Sequence, residues 1–303
     1  MIEIILYKLF RFKPTVAWSL CGILLGISVA IHEYGFELNW LYLAVAVFPV
    51  VLMQGFIAHA INDLSDEEVD KKTDMKSTNR FKVLVSGIAS RSDLMIIAYT
   101  FLVITLCAAL FLLVSLGFPI LVFYIVGLYA ALGYSVSPLK LGWRPYAEWT
   151  IVLPVLVTLV VAVNYVATGS LSYLAFIIGI LFALYNIIWF LVSRMMDYIP
   201  DKVAGKITTF VKLGLNYKEN FYTDNIHPYL VTVIILLFWF IAYIGIFVNW
   251  AVGVASMISW LAVRLFVPRH HELIPAVLSM KRTDLIFVSI INSIVVSFIL
   301  ILL

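Results

Sequence analysis

Long apolar runs separated by short polar segments dominate the chain. Nine such runs fall at roughly 14–32, 40–61, 93–115, 118–134, 148–167, 171–195, 228–247, 249–267 and 284–303. Each has about the length that an α-helix needs to cross a hydrocarbon core. The first run is followed closely by a second, which indicates a true span rather than a cleaved signal. The pattern predicts an all-α integral membrane protein with nine transmembrane helices in one bundle.

Composition agrees with a membrane protein and excludes an ordinary soluble domain. Of the 303 residues, 64% are hydrophobic and only 12% are charged, and the mean hydropathy is +1.07. Cys21 and Cys107 both lie within apolar runs and offer neither a metal-binding spacing nor a disulfide framework. We expect one transmembrane domain over residues 1–303, with a weak internal duplication of its two halves.

The positive charges lie on one side of the predicted membrane topology. If the N-terminus is inside, all 20 Lys and Arg residues fall within or at the edge of the inside segments 1–13, 62–92, 135–147, 196–227 and 268–283. The outside turns are short, and their charges are Glu33 and Glu37. The positive-inside rule then predicts an inside N-terminus, an outside C-terminus and a polar cap on the cytoplasmic face.

An acidic cluster follows the second apolar run. Asn62, Asp66 and Asp70 are spaced i, i+4, i+8, which aligns them along one face of a helix, and Asp63 lies beside Asp66. Oxygen ligands on one face suit a hard cation such as Mg²⁺. The alternative is a solvated segment whose acids balance the neighbouring lysines and arginine. The cluster contains six carboxylates, from Asp63, Asp66, Glu67, Glu68, Asp70 and Asp74, and we expect the side chains of Glu67, Glu68 and Asp74 to face water.

A second acidic pair occurs where the sixth apolar run ends. Asp197 and Asp201 are again four residues apart, and Pro200 between them disfavours a continuous helix. Gly205 fits a close turn just beyond them. Acids at the end of a span can be ordinary interface polarity. Two sets with the same spacing on the same face favour a site for a metal ion and a diphosphate.

Three stretches carry a resemblance to a known family. "NDLSDEEVD" and "DYIPDKVAGKIT" resemble the two Asp-rich motifs of the UbiA superfamily of intramembrane prenyltransferases. Between them, "YSVSPLKLGWR" is similar to that family's Tyr-Ser-x-x-Pro-Leu-Lys loop. Lys82–Gly87 reads "KVLVSG" where many members have Arg-Pro-Leu-Pro-Ser-Gly, and Arg194 stands where hydroxybenzoate-prenylating members have Asp. Both departures resemble the branch that makes menaquinone-type naphthoquinones or related lipids.

The resemblance implies a Mg²⁺-dependent enzyme that ionises an allylic prenyl diphosphate and transfers its prenyl group to an aromatic or lipid acceptor. It implies that Asp66, Asp70, Asp197 and Asp201 are catalytic. The implied metal ligands are these four carboxylates with Asn62 and Asp63. The implied diphosphate-binding residues are Lys140 and Tyr134, with Lys82 and Arg80 as further candidates. Alternatively, a tyrosine at a span end is an interface anchor, and inside basic residues serve topology.

The expected partners are a prenyl diphosphate, a hydrophobic acceptor for quinone or related lipid biosynthesis, and the lipid bilayer. We expect no nucleic acid and no obligate protein partner. An ion-coupled transporter or metal carrier is an alternative, but it needs ionisable residues in the middle of the membrane, where the runs are nearly charge-free. A family member that has lost catalysis is a third possibility, although the motif acids are present.

Overall fold

The computed structural model describes residues 2–72, 82–214, 227–266 and 282–303. Within these residues the regular secondary structure is helical, and no strand occurs. The helices are α1 (Ile2–Phe10), α2 (Phe12–Tyr34), α3 (Trp40–Lys71), α4 (Arg91–Leu116), α5 (Pro119–Gly133), α6 (Glu148–Thr168), α7 (Tyr173–Met196), α8 (Tyr198–Val203), α9 (Thr209–Leu213), α10 (Pro228–Phe247), α11 (Trp250–Phe266) and α12 (Arg282–Leu302).

Each of the nine predicted spans corresponds to a helix, but not every helix has the length of a span. In the described part of the chain, seven helices are long and apolar enough to cross a membrane: α2, α3, α4, α6, α7, α10 and α12. The other two, α5 and the apolar part of α11 (Trp250–Trp260), are shorter. The all-helical membrane fold is therefore confirmed, whereas nine crossings remain a prediction.

Helix α7 forms the centre of the bundle. It packs against α2, α6, α10 and α12, and most of its side chains are buried. Gly179 allows a close approach to α6, because a Cβ at this position would lie only 3.0 Å from the Cα of Val157. The Trp189 indole donates a hydrogen bond to the Asn186 side chain at 2.7 Å, so a polar contact is satisfied within the apolar core.

The ends of the bundle differ in chemistry. We call the end that holds Asp66, Asp201 and Lys206 the charged end. At the opposite end, Ser172 donates to Glu33 at 2.8 Å. This contact connects the start of α7 with the last turn of α2.

Three of the spans contain a π-helical turn on the side of the charged end. These turns are Val16–Leu20 in α2, Met53–Ala58 in α3 and Glu148–Val152 in α6. A π-helical turn inserts an extra residue into an α-helix and often occurs at functional sites. In α3 the turn directly precedes the segment with the first acidic motif, so it sets the direction in which the acidic side chains point.

Candidate functional site

The first acidic motif continues helix α3 beyond the apolar run. Asn62, Asp66 and Asp70 all line one cavity, as their helical spacing predicts. Both oxygens of Asp66 accept hydrogen bonds, Oδ1 from the Trp143 indole at 3.0 Å and Oδ2 from the Lys206 ammonium at 2.9 Å. Asp66 is thus a junction between three distant parts of the chain.

The second acidic motif breaks the helix as Pro200 predicts. Helix α7 ends at Met196, Asp197 is its cap, and α8 follows immediately. Gly205 then adopts a φ of +74°, a left-handed conformation that favours glycine. After this turn the Lys206 amide donates to the Asp201 carbonyl at 2.9 Å, and its side chain reaches Asp66.

The Asp201 carboxylate is buried close to cationic side chains. Arg194 Nη1 lies 3.6 Å from Asp201 Oδ2. Burial raises the pKa of the Asp201 carboxyl above its ordinary value, while the positive charges of Arg194 and Lys206 act in the opposite direction. Asp197 lines the same cavity and is only half-buried.

The Tyr134–Tyr146 segment joins the two motifs. The buried Arg194 donates to the Tyr134 hydroxyl and, at 3.0 Å, to the Gly142 carbonyl. The Ile207 amide donates to the Trp143 carbonyl at 3.0 Å. The structure therefore brings all three stretches that carry the family resemblance to one site.

A buried glutamate fixes the segment after the second motif. Glu148 has no exposed surface and accepts hydrogen bonds from the hydroxyls of Thr209, at 2.9 and 3.1 Å, and Tyr229, at 2.6 Å. The Tyr146 amide also donates to Thr209 Oγ1 at 2.8 Å. These bonds connect α6, α9 and α10 and hold the segment that carries Lys206 in place.

Asp63 occupies a different environment from the other predicted metal ligands. Its carboxylate pairs with Arg11 at 2.6 Å and with Lys82 at 3.3 Å, and it accepts from the Val83 amide at 3.3 Å. Asp63 is buried and does not belong to the cavity lining formed by the described residues. In this arrangement Asp63 fastens the N-terminal segment to α3.

The four predicted diphosphate-binding residues differ in whether they line the cavity. Tyr134 and Lys82 line the cavity, and Lys82 Nζ lies 2.8 Å from Asp70 Oδ2. Lys140 lies with its ammonium 4.5 Å from the centroid of the Trp143 ring and does not line the described cavity. Arg80 lies outside the described residues, and so does Asp74.

Glu67 and Glu68, the other two acids expected to face water, differ in how far their side chains are exposed. Glu68 is largely exposed, as expected. Glu67 pairs with Lys71 at 2.7 Å and also with Arg91, so its side chain is mostly covered.

The cavity joins the charged end to an apolar interior. Its volume is about 1350 Å³, and among its lining residues Trp18, Trp189 and Phe190 lie below the acidic motifs. Positive side chains outnumber carboxylates in the described lining, so a polyanionic ligand would gain favourable electrostatic energy there. The cationic residues are Lys8, Arg11, Lys13, Lys82, Arg194 and Lys206, and the acidic residues are Asp66, Asp70, Asp197 and Asp201.

Lysine and arginine side chains pair with the carboxylates in this arrangement. Among the described residues, no three His, Cys, Asp or Glu side chains converge as a ready-made metal site. Mg²⁺, however, commonly takes only one or two carboxylates, with water and substrate phosphates as its other ligands. Asn62, Asp66 and Asp70 from α3, and Asp197 and Asp201 from the other motif, present such oxygen donors around one cavity. The donor chemistry therefore fits Mg²⁺ when it is bound together with a diphosphate.

Fold and site together define an integral multi-pass membrane protein with a long, mainly apolar cavity that is charged at one end. The model of the UbiA prenyltransferase family matches residues 11–289. This chain therefore belongs to the UbiA prenyltransferase family.

Solved structures with the same fold agree with this assignment. A UbiA homologue from Archaeoglobus fulgidus bound to GPP and Mg²⁺ shares 18% sequence identity, with 98% of this chain and 100% of that chain covered and a TM-score of 0.65. The apo UbiA homologue from Aeropyrum pernix K1 shares 16% identity over 97% and 99% of the two chains, with a TM-score of 0.63. A structure from work on digeranylgeranylglyceryl phosphate synthase shares 15% identity over 100% of both chains, with a TM-score of 0.61. A comparison with curated proteins gives no match.

Several side chains of the site were not singled out in the sequence. Lys206, Arg11 and Trp143 contact the motif acids. Lys206 and Trp143 had a local signal, because Lys206 directly follows Gly205 in the second motif and Trp143 lies in the stretch "YSVSPLKLGWR", whereas Arg11 had none. Arg194 was noted only as a departure from a related branch, although it bridges Tyr134 and Gly142.

Proposed function

We propose that this protein is a Mg²⁺-dependent membrane prenyltransferase that transfers the prenyl group of an allylic diphosphate to an aromatic or lipid acceptor. The observation that carries the proposal is the convergence of the two acidic motifs on one cavity. Lys206 of the second motif contacts Asp66 of the first at 2.9 Å. Membership of the family and the homologue bound to GPP and Mg²⁺ support the same chemistry.

Asn62, Asp66 and Asp70 on one side, and Asp197 and Asp201 on the other, would hold Mg²⁺ in the proposed site. Bound Mg²⁺ would neutralise the negative charge of the diphosphate and so make it a better leaving group. Asp63 is a weaker candidate for a ligand because its carboxylate is engaged by Arg11 and Lys82.

The basic side chains of the charged end would bind the diphosphate and stabilise the charge that develops on it. Lys82, Arg194 and Lys206 line the cavity, which supports this role. Lys140 would need to leave the face of Trp143 to take part. Tyr134, which is held by Arg194, would orient the leaving group.

The bond between the allylic carbon and the diphosphate oxygen breaks, and the diphosphate leaves with the electron pair. The allylic cation then needs a dry environment, since water would capture it. Trp18 and Trp189, whose ring centroids lie 5.6 Å apart, would stabilise this cation by cation–π interaction. An electron-rich atom of the acceptor attacks the cation, and the acceptor releases a proton.

The proposal includes the orientation in the membrane. We infer nine crossings, with the N-terminus and the charged end on the cytoplasmic side, from the distribution of the basic residues. The whole chain would form one domain. The acceptor would be a precursor of a quinone or of a related lipid, as the sequence departures at Lys82–Gly87 and Arg194 suggest.

The test is a transfer assay with purified protein, Mg²⁺, labelled prenyl diphosphates and a panel of aromatic and lipid acceptors. Wild-type protein should form a prenylated product. Asp66→Ala and Asp197→Ala should each abolish its formation, and the double variant should be barely worse because the residues act as a unit. Glu68→Ala is the matched control, since the Glu68 side chain is 79% exposed.

Gel filtration in detergent must show that each variant is folded. A folded Asp197→Ala variant with near-native turnover would refute the two-motif site. Wild-type protein that binds the diphosphate with Mg²⁺ but transfers nothing to any acceptor would favour the inactive family member instead.

A further inference from the structure

The cavity extends from the charged end almost to the opposite end of the bundle. Besides the acidic residues, its lining includes Ile120, the second residue of α5, and Val166 near the end of α6. Both lie at the ends of their helices that are remote from Asp66. The volume of about 1350 Å³ also exceeds the roughly 300–1000 Å³ of ordinary small-molecule pockets.

Helix geometry gives the depth of the cavity in two independent ways. On α5, Tyr134 and Ile120 both line the cavity, and their separation in sequence corresponds to about 21 Å at 1.5 Å per residue. On α3, Asn62 and Ala46 both line it, and the same rise gives about 22 Å once the extra residue of the π-helical turn Met53–Ala58 is left out. The two helices therefore agree on the length of the apolar part.

An extended isoprene unit contains four main-chain carbon–carbon bonds of about 1.5 Å, each of which advances about 1.25 Å along the zigzag, so the unit is about 5 Å long. The cavity thus has the depth of about four units. We propose, on the basis of the function proposed above, that the natural donor is an allylic diphosphate with four or more isoprene units. A dimethylallyl or geranyl chain would leave the deeper half without contact.

The advantage of a long chain comes from packing. Lipid tails are as apolar as the cavity wall, so leaving the bilayer gives a prenyl chain little hydrophobic gain. A chain that fills the cavity gains dispersion contacts along its whole length, whereas a short chain leaves lining atoms without partners. The affinity for a donor therefore depends on how completely its prenyl chain fills the cavity.

Small residues keep the middle of the cavity open. Gly127 on α5 lies about 10 Å from Tyr134 by helical rise, or about two isoprene units. A Cβ at Gly127 would lie 3.0 Å from the sulfur of Met53, another lining residue, so a larger side chain would project into the space that they share. Ala109 on α4 is a second small lining residue, and it is buried.

The experiment measures Mg²⁺-dependent binding of dimethylallyl, geranyl and geranylgeranyl diphosphate to purified protein in detergent. Wild-type protein should bind geranylgeranyl diphosphate about tenfold or more tightly than geranyl diphosphate, since only the longer chain contacts the deep wall. Gly127→Leu and Ala109→Phe should each remove this preference and leave geranyl diphosphate binding within about twofold of wild type. Ala108→Phe is the matched control, because Ala108 is not part of the described lining and this variant should retain the preference.

Long chains partition into detergent, and comparing each variant with wild type cancels this effect on the measured affinity. The two substitutions lie on different helices, so the test survives if one variant fails to fold. Equal affinities for all three donors in wild-type protein would overturn the length assignment. A preference retained in both folded variants would also overturn it. Absence of Mg²⁺-dependent binding for every donor would instead refute the proposed function.

Discussion

The ion pair between Lys206 and Asp66 should stabilise the folded protein, because it joins the two acidic motifs across the cavity. Lys206 Nζ lies 2.9 Å from Asp66 Oδ2, and only 11% and 9% of the two side chains are exposed. Replacing Lys206 by Met leaves the Asp66 carboxylate without its cation in a largely desolvated place. Breaking such a buried pair costs about 3 kcal/mol, the lower end of the usual range, because this pair borders a cavity.

That energy corresponds to a fall in Tm of about 6 °C, at roughly 2 °C per kcal/mol for a chain of this size. The assay is thermal unfolding of detergent-solubilised protein without Mg²⁺ or substrate, for Lys206→Met, Asp66→Asn and the double variant. The double variant should be much less destabilised than the sum of the two single changes, since the second change removes the charge that the first leaves unpaired.

Lys71→Met provides a matched control on a lysine–carboxylate pair of similar geometry. Lys71 lies 2.7 Å from Glu67, but its side chain is 51% exposed, so solvent screens the interaction and Tm should hardly change. If Lys206→Met shifts Tm no more than Lys71→Met does, or if the two changes at the buried pair are additive, the reasoning is wrong.

Three further predictions follow from the site and the fold. Chelation of Mg²⁺ should abolish tight binding of a prenyl diphosphate, and free prenyl alcohol should bind poorly with or without the metal; equal affinity with chelator would contradict the proposed metal site. A cysteine introduced at Glu37 and one at Glu68 should be labelled from opposite sides of the membrane in intact cells, and labelling from the same side would refute the topology. Asn164→Leu should raise Tm by about 2 °C, because the buried amide has no hydrogen-bond partner among the described residues. A leucine has a similar size and removes this unsatisfied polar group, which costs about 1 kcal/mol. An unchanged or lower Tm would show that the amide is hydrogen-bonded in the membrane.

The sequence was sufficient for the helical class and for the face of α3 that lines the cavity. Apolar run length predicts spans directly, and the i, i+4, i+8 spacing predicts that Asn62, Asp66 and Asp70 point in one direction. All three do line the cavity. The break at Pro200 was also readable, since proline restricts the local backbone.

The side-chain partners of the acids were not readable from sequence. Arg11 and Asp63 are 52 positions apart, and Lys206 and Asp66 are 140 positions apart, so their pairing depends on how the helices pack. No local pattern assigns Asp63 to Arg11 rather than to a metal ion. The bounds of α5 and α11, by contrast, were readable, since the apolar runs 118–134 and 249–267 match Pro119–Gly133 and Trp250–Phe266 to within one residue at each end.

The π-helical turn Met53–Ala58 makes the site sensitive to the number of residues that precede it. Each residue of an α-helix advances the side-chain direction by about 100°, so one extra residue in a wide turn rotates everything beyond it by that angle. Deleting a single residue from this turn would leave a regular apolar helix of normal appearance, yet it would aim Asp66 and Asp70 into the neighbouring helices. Substitutions here can be conservative, but insertions and deletions cannot. The wide turn thus works as a fixed rotational offset between the apolar part of α3 and its acidic part, and both parts line the cavity.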